Sequence, residues 1–235
     1  MSNVPRHLYH KFISIDLPPE DAFDGQTVLV TGATTGLGLE AAIHFINCGA
    51  KQVVITGRNK EHGHKAKKYI EEATGGKGKG KVRSMGLEMD HYASVNSFVG
   101  KLKRVNEGQG GIDYALLNAD VVNGEYTRSA EGIEMDIQVN HLSTTLLALL
   151  LLSGMKEERK NRSSPAHLGI VNSIAHYSEN IRSWPSWIEK DGGVIAHLSK
   201  PKSWSGLSSQ YSYSKLLNQY AIREIAKLAI GPDGK

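Results

Sequence analysis

Apolar residues along this chain fall into short, β-branched runs that alternate with longer stretches of helical spacing. Gln26 to Thr31 (QTVLVT), Gln52 to Thr56 (QVVIT), about Lys81 to Leu87, Gly111 to Leu117 (GIDYALL) and Leu168 to Asn172 (LGIVN) have the length and composition of strands. Helical spacing covers Leu37 to Asn47, Lys60 to Ala73, Tyr92 to Val105, Gly132 to Leu152 and Gln210 to Ala229. This alternation predicts an α/β fold, a parallel sheet with helices on both faces. Ser173 to Tyr211 lacks such a period and is expected to be irregular; it holds Trp184, Trp187 and Trp204, all three of the tryptophans.

Composition narrows the function classes. At 235 residues the chain fits one α/β domain with appendages, and 40% hydrophobic with 22% charged residues argues against disorder. The formal charge of +4 comes largely from local runs, Lys65-Ala66-Lys67-Lys68 and Lys77-Gly78-Lys79-Gly80-Lys81. These suit a solvated helix face and a loop, and with no interleaved aromatics or known module no nucleic-acid partner is expected. Cys48 stands alone, which fits a reducing compartment and a cytoplasmic location. Residues 1–24 lack the apolar core of a signal peptide and are expected to form an N-terminal extension. Leu146 to Leu152 (LLALLLL) is far short of the about 18 apolar residues that span a bilayer, so a buried helix face and no membrane span are expected. The ten histidines show neither HExxH nor Cys/His ligand spacing, so no metal is expected, and there is no G-x-S-x-G elbow.

VLVTGATTGLGLEAA leaves the first strand and enters a helix, with Gly32, Gly36 and Gly38 spaced G-x-x-x-G-x-G. Positions without side chains let backbone approach a pyrophosphate, and the helix N-terminus offers free N–H groups and the positive end of its dipole. Further on, SSQYSYSKLLNQ places Tyr211 four positions before Lys215 and Tyr213 two before it. On a helix only the first of these pairs shares a face, so Tyr211 cooperates with Lys215 and Tyr213 is a bystander. An ammonium beside a phenol favours the phenolate and lowers its pKa from about 10. Ser208 or Ser209 is expected to cap this helix.

TGATTGLG and the Y-x-x-x-K of Tyr211 and Lys215 resemble the short-chain dehydrogenase/reductase family, over about residues 24 to 235. IQVNHLSTTLLALLLL and YSKLLNQ look most like members from fungal secondary-metabolite clusters, near the retinol-dehydrogenase-like branch. The resemblance implies a Rossmann-type doubly wound parallel sheet over 25–235, and a nicotinamide dinucleotide held by Gly32, Thr34, Thr35, Gly36, Leu37 and Gly38. It makes Tyr211 the proton donor to a carbonyl, Lys215 its partner and a ligand of the nicotinamide ribose, and Ser173 the holder of the substrate oxygen. Asn140, on the long helix, would anchor a water relay to the lysine.

Cofactor choice is read after the second strand, where VVITGRNK has Gly57 in place of an acid and then Arg58 and Asn59. An arginine fork suits a 2′-phosphate, so NADP is expected. LEMDHYASV puts Glu88 where the family has an acid near the adenine, with Asp90 as a neighbour. In LLNADVVNG, Asn118 and Ala119 match the family while Asp120 replaces a glycine, adding bulk and negative charge.

Ser173 and Tyr211 lie farther apart in sequence than the resemblance leads one to expect, so residues 177–208 are expected either to form a substrate loop or to pack their tryptophans for stability. Only five of the usual seven strands are present, and the chain stops at IGPDGK, where the family would begin its sixth. The expectation is therefore a truncated form, or an edge covered by another chain. The implied activity is an NADP-dependent reduction of the carbonyl, or oxidation of the alcohol, of a small hydrophobic metabolite. The alternative is a catalytically inactive NADP-binding remnant or partner subunit. Leu146 to Leu152 and the last helix are the implied faces of a homo-oligomer.

Overall fold

The computed structural model of the chain describes residues 17–105, 111–162 and 164–230. Most of the expected N-terminal extension, and the final 231–235, lie outside the described residues. The strands are β1 (Thr27–Val30), β2 (Gln52–Gly57), β3 (Val82–Gly86), β4 (Tyr114–Leu117) and β5 (His167–Ile170). All pair in parallel in the order β3-β2-β1-β4-β5, with Val28 opposite both Val53 and Tyr114. Every residue of β1 is buried, as expected of a central parallel strand covered on both faces.

Helices α1 (Gly36–Asn47), α2 (Lys60–Ala73) and α3 (Tyr92–Val105) follow β1, β2 and β3. The lysine run on α2 alternates with glutamates one turn away, giving the i, i+4 pairs Lys65–Glu61, Lys67–Glu71 and Lys68–Glu72. After β4 comes a π-helical stretch, Ile137–Ser143, continuous with α4 (Thr144–Glu157). The helix expected from Gly132 starts later because Gly132 adopts φ +77° in a turn closed by the Arg128–Glu134 bridge. One hydrophobic cluster joins α3, α4 and the last helix to one face of the sheet, centred on Leu29, Phe98, Leu147 and Leu151. The other packs α1 and α2 on the opposite face through Val28, Ile46, Ile55 and Ile70. Ile137–Glu157 is long and apolar enough to cross a membrane by length and composition, and 56% of that window is buried within the fold.

The segment expected to be irregular is largely helical. It contains α5 (Trp184–Asp191) and α6 (Val194–Leu198), separated at Gly192, whose φ of +79° ends α5 in a left-handed turn. Pro185 and the two glycines at 192 and 193 interrupt the apolar period that would have announced these helices. The final helix, α7 (Leu207–Ala229), starts earlier than expected, after Gly206 at φ +101°. Neither Ser208 nor Ser209 caps it; the Ser209 hydroxyl donates instead to Glu179 Oε1 at 2.7 Å.

Candidate active site

Parallel pairing brings the carboxyl ends of all five strands to one side of the sheet. β1 and β4 are neighbours where the strand order reverses, which is where open α/β sheets leave a crevice. A cleft of about 530 Å³ opens there, lined by Gly32, Thr34, Thr35, Arg58, Asp90, Asn118 and Asp120, and by the apolar Leu87, Met89, Val121, Val122, Met135 and Val139.

The glycine turn is built for close approach. Gly32 has φ +63°, and a Cβ there would stand 2.8 Å from the Ala119 Cα. A Cβ on Gly38 would stand 2.6 Å from both the Gly32 carbonyl oxygen and the Asn118 amide nitrogen. Gly36, at φ +58°, faces open space, so its glycine is needed for conformation. The turn is fastened from β4: Thr31 Oγ1 accepts from the Asn118 and Ala119 backbone N–H groups at 2.9 and 3.0 Å, and the Asn118 side-chain amide donates to the Thr31 carbonyl at 3.1 Å. At the start of α1, Thr35 makes no side-chain cap and the first turn carries no acid. Free N–H groups and an uncompensated dipole therefore face the turn, and these residues fit a dinucleotide pyrophosphate.

The remaining expected cofactor residues divide. Arg58 is exposed and lines the cleft. A Cβ on Gly57 would lie 2.5 Å from the Thr34 side-chain methyl Cγ2. Asn59 caps α2, its Oδ1 accepting from Glu61 and His62 N–H at 2.7 and 3.2 Å. Leu37 is 79% exposed and is not part of the cleft lining. Nor is Glu88, which is exposed; its neighbour Asp90 lines the cleft instead. Glu88, Asp90 and His91 bring ligand atoms within 4.8 Å of one another.

The catalytic candidates are not among the cleft's lining residues and reach it through Asp120, which lines the cleft and pairs with Lys215. Ser173 lies close enough to the Tyr211 phenol to influence its acidity, and the Lys215 ammonium lies 5.4 Å from the Tyr211 ring centroid. Ser173 Oγ also accepts from Ala175 N–H at 3.2 Å, which fixes the serine after β5. Tyr213 points elsewhere, its ring edge-on to Trp187 at 5.5 Å. Asn140 is buried in the π-helical stretch, but its hydrogen bonds do not go to Lys215. It accepts from Val121 N–H and donates to the Val121 carbonyl, both at 2.8 Å, and donates to Ser214 Oγ at 3.1 Å. Its observed work is to pin the loop after β4.

Two features went unseen in the sequence. Asp120 Oδ2 forms an ion pair with Lys215 at 2.8 Å, and this lysine is only 2% exposed. Its carboxylate also lies close enough to the Tyr211 phenol for each to shift the other's acidity. Burial and then the Asp120 charge push the Tyr211 phenol above its usual value, the reverse of the lowering expected from Lys215. Beneath lies a buried polar group of Glu134, Asp136 and Gln210, in which Gln210 donates to Glu134 Oε2 at 2.9 Å. The polar residues of GIEMDIQVN alternate with apolar ones, a period that fits no exposed helix face and was the available signal.

Residues 177–208 contribute nothing to the described cleft lining. Trp187 stacks on His197 at 4.1 Å, and with Trp184 it joins a small cluster built on Ile137, Leu198 and Leu217. Trp184 and Trp187 thus pack against α7, edge-on to Tyr220 and Tyr213.

Comparison with known proteins bears on the family and the fold. Residues 26–177 match the short chain dehydrogenase family. The chain is 36% identical over 211 residues to the short-chain dehydrogenase/reductase phmF of Phaeosphaeria nodorum, covering 88% of this chain and 59% of that protein. It is 31% identical over 221 residues to the short chain dehydrogenase sol3 of Alternaria solani, covering 94% of this chain and 73% of that protein. The chain thus spans about three fifths of the length of phmF and 61% of that of ffsI from Aspergillus flavipes. Its fold is similar to that of a short chain dehydrogenase from Escherichia coli CFT073, with a TM-score of 0.63 at 20% identity over 90% of this chain and 74% of that one. With its parallel sheet, glycine turn and Ser173–Tyr211–Lys215 grouping, the chain belongs to the short chain dehydrogenase family.

Proposed function

We propose that this protein is an NADP-dependent oxidoreductase that reduces a carbonyl, or oxidises the corresponding alcohol, of a small hydrophobic metabolite. Secondary-metabolite biosynthesis in the cytoplasm is the proposed setting. The observation that carries the reading is the grouping of Ser173, Tyr211 and Lys215 around Asp120, one residue beyond the Ala119 that closes on Gly32 of the glycine turn.

When bound, the dinucleotide supplies or accepts the hydride. The chain's own residues do the rest. Gly32 and Gly36 let the backbone close on the pyrophosphate, and the uncapped start of α1 faces its charge. Arg58 meets the 2′-phosphate at the cleft mouth. That choice is supported by the missing acid at Gly57, and the similar Escherichia coli protein was crystallised with NADPH. Tyr211 keeps a proton at its hydroxyl for the substrate oxygen, while the Ser173 hydroxyl holds that oxygen in place. Val121, Val122 and Met135 line the cleft next to Asp120 and suit an apolar substrate.

The test is consumption of NADPH with a panel of hydrophobic aldehydes and ketones, comparing the protein with Tyr211→Phe. A general acid is worth about 10²- to 10⁴-fold in rate, so the variant should lose that much turnover and still bind NADPH. One observation favours a second reading, a cofactor-binding subunit without turnover: Lys215 is held by Asp120. Bound NADPH that no carbonyl oxidises, with Tyr211→Phe indistinguishable from the parent, would establish that reading instead.

A further inference from the structure

Asp120 sits where the chemistry-bearing side chains meet. Its Oδ2 is 2.8 Å from the Lys215 ammonium, which itself stands 5.4 Å from the Tyr211 ring centroid, and it lines the cleft. The lysine also donates to the Val171 carbonyl at 3.2 Å. Backbone strain does not put Asp120 there, since among the described residues only glycines have positive φ. Nor does the position require a glycine for close approach: the tight contact in this loop is between Gly32 and Ala119.

We infer that Asp120 is a positioning residue for the Tyr211–Lys215 pair: in the cofactor-free protein it holds the lysine ammonium and keeps Tyr211 in its proton-donating form. The inference rests on the reading of Tyr211 as proton donor. A carboxylate next to a phenol disfavours the phenolate, and an ammonium already engaged by that carboxylate has little net field left to favour it. The site is thereby biased towards giving a proton, as carbonyl reduction needs, and away from taking one, as alcohol oxidation needs.

Other charges around the group do not cancel this. From α7 come only Tyr211 and Lys215. Asp136, at the start of the long helix, adds negative charge in the same sense. After β5, Ser173 acts on Tyr211 in the opposite sense, by less than the Asp120 charge. His176, on the turn beyond it, is engaged with the Ser173 carbonyl at 2.6 Å. Cofactor binding has then to draw Lys215 away from Asp120, so Asp120 weakens dinucleotide affinity while it preserves the proton.

Ionisation of Tyr211 can be followed without substrate by ultraviolet difference titration, each protein being compared with its own Tyr211→Phe partner. With Asp120 present the midpoint should lie above the about 10 of free tyrosine. In Asp120→Asn it should fall by about one pH unit or more, and in the charge-keeping Asp120→Glu it should stay high. Asp120→Gly gives the same readout should the asparagine variant not fold. A midpoint that does not move between Asp120 and its neutral variants, or that rises, overturns the inference. Fluorescence titration with NADPH should show the neutral variants binding about three- to tenfold more tightly; equal or weaker binding contradicts the hold on Lys215. Should none of the proteins bind NADPH, the cofactor reading fails, and the tyrosine midpoint still decides the role of Asp120.

Discussion

Asp136 offers a quantitative test of the buried polar group under the site. It has no exposed surface. Its Oδ1 accepts from the Asn123 side chain at 2.6 Å, while Oδ2 has no partner among the described residues. Burial above all, with the Glu134 and Asp120 charges adding to it against the Asn123 hydrogen bonds, pushes its acid up from 3.8 to about 7. A carboxyl raised in this way stabilises the fold below its unfolded value and loses that contribution as pH climbs through the folded one, here between 3.8 and about 7. That gap, at about 1.4 kcal/mol per pH unit, sets a ceiling of about 4 kcal/mol. Interior relaxation and coupling to Glu134 reduce it, and about 2 kcal/mol is expected. Asp136→Asn keeps an oxygen for Asn123 and removes the ionisation. Thermal melts followed by circular dichroism at pH 5 and pH 8 read the effect. At about 2–4 °C per kcal/mol for a domain of this size, the variant should melt about 4–8 °C above the parent at pH 8, and by less than half that at pH 5. Carboxylates not coupled to Asp136 titrate alike in both proteins and drop out of the difference. A gap that is the same at both pH values, or larger at pH 5, refutes the assignment.

Three further outcomes follow from particular contacts. Gly38→Ala drives a Cβ against the Gly32 carbonyl and the Asn118 amide; it should cost about 1–3 kcal/mol in urea unfolding and weaken NADPH binding at least about tenfold. Asn140→Ala strands the Val121 backbone and Ser214 hydroxyl and should cost about 2–3 kcal/mol by the same assay. Trp187→Ala removes the stack on His197 and the edge contact with Tyr213. It should cost about 2 kcal/mol, less than a fully buried tryptophan, and leave NADPH affinity and substrate KM unchanged; an unchanged stability with a raised KM would instead make residues 177–208 a substrate loop.

What was legible in the sequence had a local cause. Interior parallel strands are buried on both faces, so QTVLVT and QVVIT announced themselves as continuous apolar runs, and α2 and α3 begin and end where the pattern puts them. Gly32 and Gly38 stood out because close approach removes side chains wherever it occurs. Helical geometry alone separated Tyr211 from Tyr213, and the two do face different neighbours, Ser173 and Trp187. The misses are tertiary. Asp120 and Lys215 are distant in sequence, and nothing local announces that the carboxylate will reach the lysine and reverse its expected influence on Tyr211. Asn140 was placed on the correct helix, yet its partners on the loop after β4 could not be inferred from spacing. Between Glu88 and Asp90 the choice turned on which way two neighbouring side chains point, and it is Asp90 that lines the cleft.

The central claim is a nicotinamide site with a phosphate-reading arginine, and direct binding tests it. Calorimetric titration of the protein with NADPH and with NADH should give saturable binding of both, with NADPH at least about tenfold tighter. Arg58→Ala should erase that preference while leaving NADH affinity within about twofold. Equal affinities in the parent protein would contradict the role of Arg58, and the absence of saturable binding by either dinucleotide would contradict the site itself.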